Sequence, residues 1–504
     1  MASSRTTELA SSYHFLKGAP LNAAAMIYAK AVSFVAGIIL ARVIGAPQYG
    51  IFIVARNILE SCGIITPLGL NVALLRHLGA EPERLSARLT QLTFFRSLAF
   101  GLALAPCVVA AMGLSTFVEE AIYRYPQFSS ILLVTLIALP FATDLAVLSG
   151  AYRGILRPEP YVIANCVVQP TARLLLIGLL FAIGLRLWAV VVGTSASYVI
   201  SWAVLALQAR KDLTGSRTGR PQDWADIRSL FVYSPSLGAS MVFSTWLGTA
   251  DSLFLGHFGT SKDVGQYAVI LMVAQLIGLA GESLGQTLGA RVALCFRHKD
   301  LIAMEKVLAD NIRRAAILSA PIFAAVLFWG DRIDLVLGPS FAVDFAVVAV
   351  IAARTFLQTI FRYSGFALSM TGWHLRETAL LGSGLLFSLL ICSILVPRYG
   401  QLGAAVASFA TLVGVDLVRY AVVRTMFGIK IVDTSVAMTT ALAVMTSGLA
   451  YLLMLPFDDR TLPSTILQAA ISFALYAGSA WLLLFTSEDR AVISSLLPTF
   501  FQVR

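Results

Sequence analysis

NAAAMIYAKAVSFVAGIILARVIGAPQYGIFIVARNI, residues 22–58, decides the fold. Two apolar stretches flank the short turn GAPQYG at 45–50. About twenty apolar residues rising 1.5 Å each cover the ~30 Å of bilayer hydrocarbon, so each stretch is long enough for one crossing helix. The first is longer than a signal-peptide core and has no small-residue cleavage site before the next span. It reads as a retained helix.

Outward from this pair the pattern repeats. Spans are expected at 21–40, 51–75, 91–113, 129–150, 161–183, 187–208, 230–256, 264–290, 313–329, 343–370, 376–396, 401–424, 434–455 and 463–486. The chain is 58% hydrophobic and 13% charged, with a mean hydropathy of +0.82. A soluble domain carries nearer a quarter charged residues. The expectation is an all-α membrane protein of about fourteen spans.

The net charge of +10 needs no nucleic acid to explain it, because loop cations orient membrane helices. With the N-terminus inside, the tails and inner loops hold 23 Lys and Arg; seven lie outside, one per loop (Arg42, Arg124, Arg186, Lys262, Arg332, Arg398, Arg460). This excess puts both termini in the cytoplasm and the 115–128 and 457–462 loops in the periplasm.

An internal echo divides the chain. ILARVIGAPQYGIFIVA at 39–55 aligns with FLGHFGTSKDVGQYAVILMVA at 254–274, placing Gly45 over Gly259 and Gly50 over Gly265. LWAVV at 187–191 pairs with LGAAV at 402–406, an offset of 215 residues. The expected organisation is a cytoplasmic tail at 1–20, a six-span lobe at 21–208, a cytoplasmic linker at 209–229, a second six-span lobe at 230–424, two appended spans at 434–486 and a cytoplasmic tail at 487–504. Duplication of this kind is common in transporters that rock one half against the other. Gly45 and Gly50 serve the tight turn, and Pro67, Pro106, Pro140, Pro170, Pro235 and Pro321 kink their spans or act as hinges.

Seven cations fall inside spans: Lys30, Arg56, Arg96, Arg173, Arg354, Arg362 and Arg419. A cation in hydrocarbon needs a partner charge, cavity water or an anionic ligand. Four-residue spacing puts Asn165, Gln169 and Arg173 on one face, and likewise Arg354, Gln358 and Arg362. Arg56 with Glu60, and Asp416 with Arg419, are spaced to neutralise each other locally or to serve a site. Arg96 lies near the cytoplasmic end and snorkels. Asp144 and Asp251 lie nearer a surface, where packing, partnering and transport all remain open; Glu282 sits in the eighth span between Gln275 and Gln286. Lys30, Arg56, Arg173, Arg354, Arg362 and Arg419 are the candidate anion-binding residues. Glu60, Asn165, Gln169, Asp251, Glu282, Gln358 and Asp416 are the polar or ion-coupling candidates. The planar guanidinium fork suits phosphate oxygens. A basic membrane interior reads as a conduit for something anionic.

Other chemistries find little support. Cys62, Cys107, Cys166, Cys295 and Cys392 lack CxxC spacing, and His14, His77, His257, His298 and His374 make no HxxxH or HExxH pair. No metal, cofactor or disulfide framework is expected. Nothing matches GxxxxGK[ST], so no ATPase is built in. An enzyme on a lipid carrier usually needs a sizeable outer loop with acid or base groups, and the 115–128 loop offers only Glu119, Glu120 and Arg124.

The opening stretch, with its GIxLAR-x-x-G-x-x-x-YG turn, resembles the polysaccharide transporter branch of the multidrug/oligosaccharidyl-lipid/polysaccharide (MOP) superfamily, the Wzx-type flippases. The resemblance covers nearly the whole chain. It implies an amphipathic, cationic central cavity between the two lobes and a substrate that is an undecaprenyl-pyrophosphate-linked oligosaccharide. That substrate would be turned from the cytoplasmic to the periplasmic leaflet of a bacterial inner membrane for exopolysaccharide, capsule or O-antigen synthesis. Membrane lipids, a polysaccharide polymerase and a chain-length regulator are the implied partners, with H⁺ or Na⁺ as coupling ion. The alternatives are a lipid II-type peptidoglycan-precursor flippase or a drug/cation antiporter of the same superfamily, and then a membrane-embedded polymerase, ligase or glycosyltransferase. The drug exporters would be better served by an acidic interior.

Overall fold

The computed structural model describes residues 2–67, 69–71, 85–154, 159–214, 224–430, 434–455 and 460–485; the side chains of 2–23, 85–91, 212–214, 224–237, 286, 287, 290 and 374 fall outside that description. The expected C-tail at 487–504, the end of the second span, the middle of the 209–229 linker, the side chains of the N-tail, Pro235 and Gln286 therefore lie outside the described residues. Those described form helices and connecting turns, with no strand among them. The principal helices are α1 (Ala2–Ile65), α2 (Leu85–Val109), α3 (Phe128–Leu136), α4 (Leu139–Gly154), α5 (Gln169–Ala182), α6 (Arg186–Thr214), α7 (Trp224–Phe258) and α8 (Ser261–Arg297). They continue with α9 (Leu301–Trp329), α10 (Phe345–Phe361), α11 (Tyr363–Met370), α12 (His374–Phe427), α13 (Thr434–Met454) and α14 (Leu462–Leu483).

Eleven helical stretches among the described residues are long and apolar enough to cross a membrane. The chain is a multi-pass membrane protein. Two of the helices are each interrupted by one non-helical glycine: Gly45 (φ 77°) in α1 and Gly400 (φ 53°) in α12. Only glycine enters this left-handed region without a steric penalty. The expected turns at 41–50 and 397–400 are thus single-residue breaks, and each interrupted helix supplies two arms. The count of fourteen spans rests on the sequence. Pro106 and Pro321 lie inside α2 and α9, while Pro140 and Pro170 are the second residues of α4 and α5, the latter directly after the π-helical segment Ile163–Val168.

By internal contact the chain divides into two compact units, Met1–Val269 with Thr378–Ala404, and Ile270–Glu377 with Ala405–Arg504. In the first unit the sequence echo acquires a physical counterpart. Gly50 is not in the turn but in the second arm of α1, and a Cβ there would stand 1.8 Å from the Ser261 carbonyl oxygen. A Cβ on Gly265, in α8, would stand 2.0 Å from the Ala46 carbonyl oxygen. Ala46 and Ser261, like Gly50 and Gly265, are 215 residues apart, the offset of the second echo. Equivalent positions of the two repeats therefore meet crosswise, backbone on backbone, as small residues permit between membrane helices.

The rest of this unit packs around Phe95, Ala99, Leu148, Ala151, Ala164 and Leu205. Across that core runs an ion pair the sequence reading did not anticipate. Arg96 donates to both carboxylate oxygens of Asp144, Nε to Oδ1 at 2.8 Å and Nη2 to Oδ2 at 2.7 Å, and Trp202 Nε1 donates to Oδ2 at 2.7 Å. Arg96 does not snorkel; it ties α2 to α4, and Asp144 ties α4 to α6. In the second unit α9 packs on α10, α13 and α14. Trp329 Nε1 donates to Gln468 Oε1 at 2.7 Å, and the Tyr476 hydroxyl donates to the Ile317 carbonyl at 2.9 Å, fixing α14 against α9.

Candidate anion-binding site

Helix α5 shows how the sequence aims a cation inward. Leu175, Leu179 and Ile183, at four-residue spacing, are exposed and form its lipid-facing stripe, while Ile177 is buried on the opposite side. Arg173 lies two residues before Leu175, about 200° around the helix, and four before Ile177. It therefore shares the inner face with Ile177. Just before α5, residues Ile163–Val168 form a π-helical segment. The extra residue per turn shifts the phase of what precedes it, so Asn165 leaves the predicted stripe while Gln169 and Arg173, both in α5, keep it. Asn165 turns to α4 and donates to Ser149 Oγ at 2.9 Å, and Gln169 hydrogen-bonds the Tyr198 hydroxyl of α6.

Arg173 stands in the electrostatic field of Arg56, Tyr198, Tyr49 and Glu60. The second arm of α1 supplies three of these groups. Arg56 Nε donates to Glu60 Oε1 at 2.7 Å, and their side chains keep 39% and 35% of their exposure, so the pair opens to one side. Arg56 lies eleven residues beyond the Gly45 break, about 16 Å along the helix and so near mid-membrane. Arg173 Nε is buried without a hydrogen-bond partner. Two guanidinium groups and one carboxylate leave this cluster with a surplus of one positive charge. A buried donor on an unbalanced cation costs free energy unless an acceptor arrives, so the arrangement suits an incoming oxyanion.

The second unit treats its charges differently. The stripe Arg354, Gln358 and Arg362 runs from a buried to an exposed environment along one helical path: Arg362, the residue after α10, keeps helical φ/ψ and donates its amide to the Gln358 carbonyl at 3.0 Å. Arg354 is buried and donates to Ser408 Oγ at 2.9 Å. Gln358 is half-buried. Arg362 keeps 46% of its side-chain exposure and sits 3.8 Å from Glu282. Arg419 pairs with Asp416 at 2.5 Å as its spacing suggests, and grips Glu377 through Nε and Nη2 as well. Glu377 is the partner that local spacing misses, since it lies 42 residues earlier in the chain.

Of the remaining candidates, Asp251 is buried in the first unit, accepting from the Tyr267 hydroxyl at 2.7 Å and the Ser252 amide at 2.7 Å. Lys30 is half-buried in the first arm of α1, close in sequence to Tyr28, which hydrogen-bonds Thr171 of α5 at 2.9 Å. Among the described residues no group of three His, Cys, Asp or Glu is arranged to hold a metal ion.

The chain matches the polysaccharide biosynthesis protein family over residues 15–280. A curated relative, the probable low-salt glycan biosynthesis flippase Agl15 of Haloferax volcanii, is 24% identical over 394 residues, covering 76% of this chain and 78% of the relative. Among solved structures, the lipid II flippase MurJ in an inward closed conformation superposes with a TM-score of 0.72 at 12% identity, covering 94% of this chain and 99% of that one. An outward-facing multidrug resistance MATE transporter of the MOP superfamily gives 0.59 at 12% identity, covering 82% and 96%. The eukaryotic MATE transporter AtDTX14 gives 0.58 at 15%, covering 86% and 99%. At these identities the structural likenesses establish the fold.

Proposed function

The chain belongs to the polysaccharide biosynthesis protein family of the MOP superfamily, and from that premise we propose that it is a flippase for a lipid-linked oligosaccharide. It carries an anionic, undecaprenyl-pyrophosphate-linked glycan from the cytoplasmic to the periplasmic leaflet of a bacterial inner membrane, with both termini in the cytoplasm. The exported unit feeds exopolysaccharide, capsule or O-antigen synthesis, beside a polymerase and a chain-length regulator. The halves at 21–208 and 230–424 alternate access, and the helices of 434–486 are an addition to them.

One observation carries the anionic part of this reading. Arg173 is turned away from lipid, its Nε is buried without a hydrogen-bond partner, and Arg56 stands beside it. Such a pair is expensive to keep in a membrane unless a ligand uses it. The name of the curated relative, a glycan biosynthesis flippase, supports the glycan part. Lys30, Arg354, Arg362 and Arg419 are the further candidate cations, with Gln169, Gln358 and Asn165 as polar candidates. Asp251, Glu282, Glu60 and Asp416 are the groups available to couple H⁺ or Na⁺. A cell lacking the protein should stop exporting polymer and accumulate the lipid-linked precursor in the inner leaflet. Continued export, with no precursor build-up and no second flippase present, would refute the assignment.

A further inference from the structure

Two helix ends meet in the first compact unit, and each is capped by a side chain of the other. The π-helical segment Val118–Tyr123 ends in the expected periplasmic loop, and α7 ends at Phe258. The last carbonyls of a helix have no partner within it. Here the Tyr125 hydroxyl donates to the Gly256 carbonyl at 2.7 Å, and His257 Nδ1 donates to the Ile122 carbonyl at 2.7 Å. Gly256 is also pressed from two sides: a Cβ there would stand 2.9 Å from the Tyr123 ring and 3.1 Å from Val54 Cγ2 in α1. Val54, Tyr123 and Tyr125 belong to the half at 21–208, Gly256 and His257 to the half at 230–424. We propose that Tyr125 and His257 form a reversible outer latch: the 118–128 segment of the first half holds the end of α7 in the second, and releases it when the carrier opens to the periplasm. This rests on the flippase reading and its orientation, and goes beyond them.

The contact has the properties of something made to open. Exposed residues adjoin both capped carbonyls, His257 next to Gly256 and Ala121 next to Ile122. Water can therefore replace each cap when the ends part, and the net loss per hydrogen bond is small. The turn that presents Tyr125 is strained, because Arg124 (φ 52°) and Gln127 (φ 60°) are both left-handed and neither is glycine. Backbone of this kind persists where surrounding contacts hold it, and it concentrates in switch regions. The rings of Tyr123, Tyr125 and Phe128, with centroids 5.2–6.1 Å apart, stiffen the turn into one body. The latch also spans the repeat boundary. The compact unit that holds the first half takes in α7, the start of α8 and residues 378–404 as well. Rocking one half against the other must part these ends or leave the outer side shut.

Both tests use the full-length protein with its five native cysteines replaced by alanine. In intact cells, Val54→Cys is the reporter, since Val54 is fully buried beside Gly256. Adding Tyr125→Phe and His257→Ala removes both caps and should raise its rate of labelling by an impermeant maleimide about tenfold. Tyr476→Phe, which removes a hydrogen bond to the Ile317 carbonyl in the second unit, should leave that rate unchanged. Equal labelling with and without the caps would overturn the proposal, as would a matching rise in Tyr476→Phe. In proteoliposomes, Ile122→Cys and His257→Cys joined by a short reducible bis-thiosulfonate linker should move lipid-linked oligosaccharide about tenfold more slowly than the unlinked protein, and reduction should restore the rate. A linker that fails to form, or a linked protein that moves lipid at the unlinked rate, would overturn the latch. Labelling needs no substrate, so a protein that moves no lipid but labels as expected would count against the flippase reading alone.

Discussion

Replacing Gly50 with alanine tests the crosswise contact between the two repeats. The new Cβ would sit 1.8 Å from the Ser261 carbonyl oxygen and 2.8 Å from the Gly265 amide nitrogen, where ordinary contact begins at 3.4 Å. Neither neighbour is a flexible side chain, so the second arm of α1 and the start of α8 must separate by about 1.6 Å. Overpacking of this kind costs about 1–3 kcal/mol. Gly265→Ala meets the Ala46 carbonyl at 2.0 Å and should cost a similar amount. The same separation relieves both clashes, so the double substitution should cost little more than either single one, well short of additivity. Gly101→Ala is the control: nothing lies within 4 Å of its Cβ, and the change should be neutral or stabilising. The assay is SDS-induced unfolding of purified protein. Unfolding of Gly50→Ala at the SDS concentration of Gly101→Ala would refute the backbone contact, and simple additivity would refute the shared seam.

Asp144→Asn should lower stability by about 3 kcal/mol and reduce membrane abundance, because it leaves the largely buried Arg96 without its counter-charge; wild-type abundance would exclude the clamp. Arg419→Gln should be more damaging than Glu377→Gln, since the first strands two buried carboxylates and the second leaves the Arg419–Asp416 pair intact; abundance in membranes distinguishes them. A cysteine at position 120 should react with an impermeant maleimide in intact cells and one at position 300 should not; the reverse would invert the topology inferred from 23 inner against seven outer cations.

The sequence exposed the helices and the repeat more readily than the pairing of charges, and the reason is range. Hydropathy and four-residue spacing report on neighbours along one helix, so the Arg56–Glu60 and Asp416–Arg419 pairs were legible. Arg96 with Asp144 lies 48 residues apart and Arg419 with Glu377 lies 42. Only packing brings these together, and spacing alone put Arg96 in the wrong environment. The stripe of Asn165, Gln169 and Arg173 lost Asn165 for a different reason, since the spacing assumed 3.6 residues per turn across a π-helical segment, while Gln169 and Arg173 both lie in α5 and both neighbour Tyr198. The stripe of Arg354 and Arg362 keeps its helical register, but spacing does not show that Arg354 is buried while Arg362 keeps 46% of its exposure beside Glu282. Gly50 resembled a turn residue because it closes GAPQYG, yet its lack of a side chain serves a contact with a segment more than two hundred residues away.

Transbilayer movement in proteoliposomes tests the central claim most directly. Purified wild-type protein and Arg173→Gln would be reconstituted at equal density with a fluorescent lipid-linked acidic oligosaccharide, and the rate of its appearance in the opposite leaflet measured. The account predicts that the wild type moves the lipid, that Arg173→Gln is slower by about tenfold or more, and that Arg173→Lys recovers part of the rate, since the charge survives without the bidentate fork. Equal rates for wild type and Arg173→Gln would contradict it.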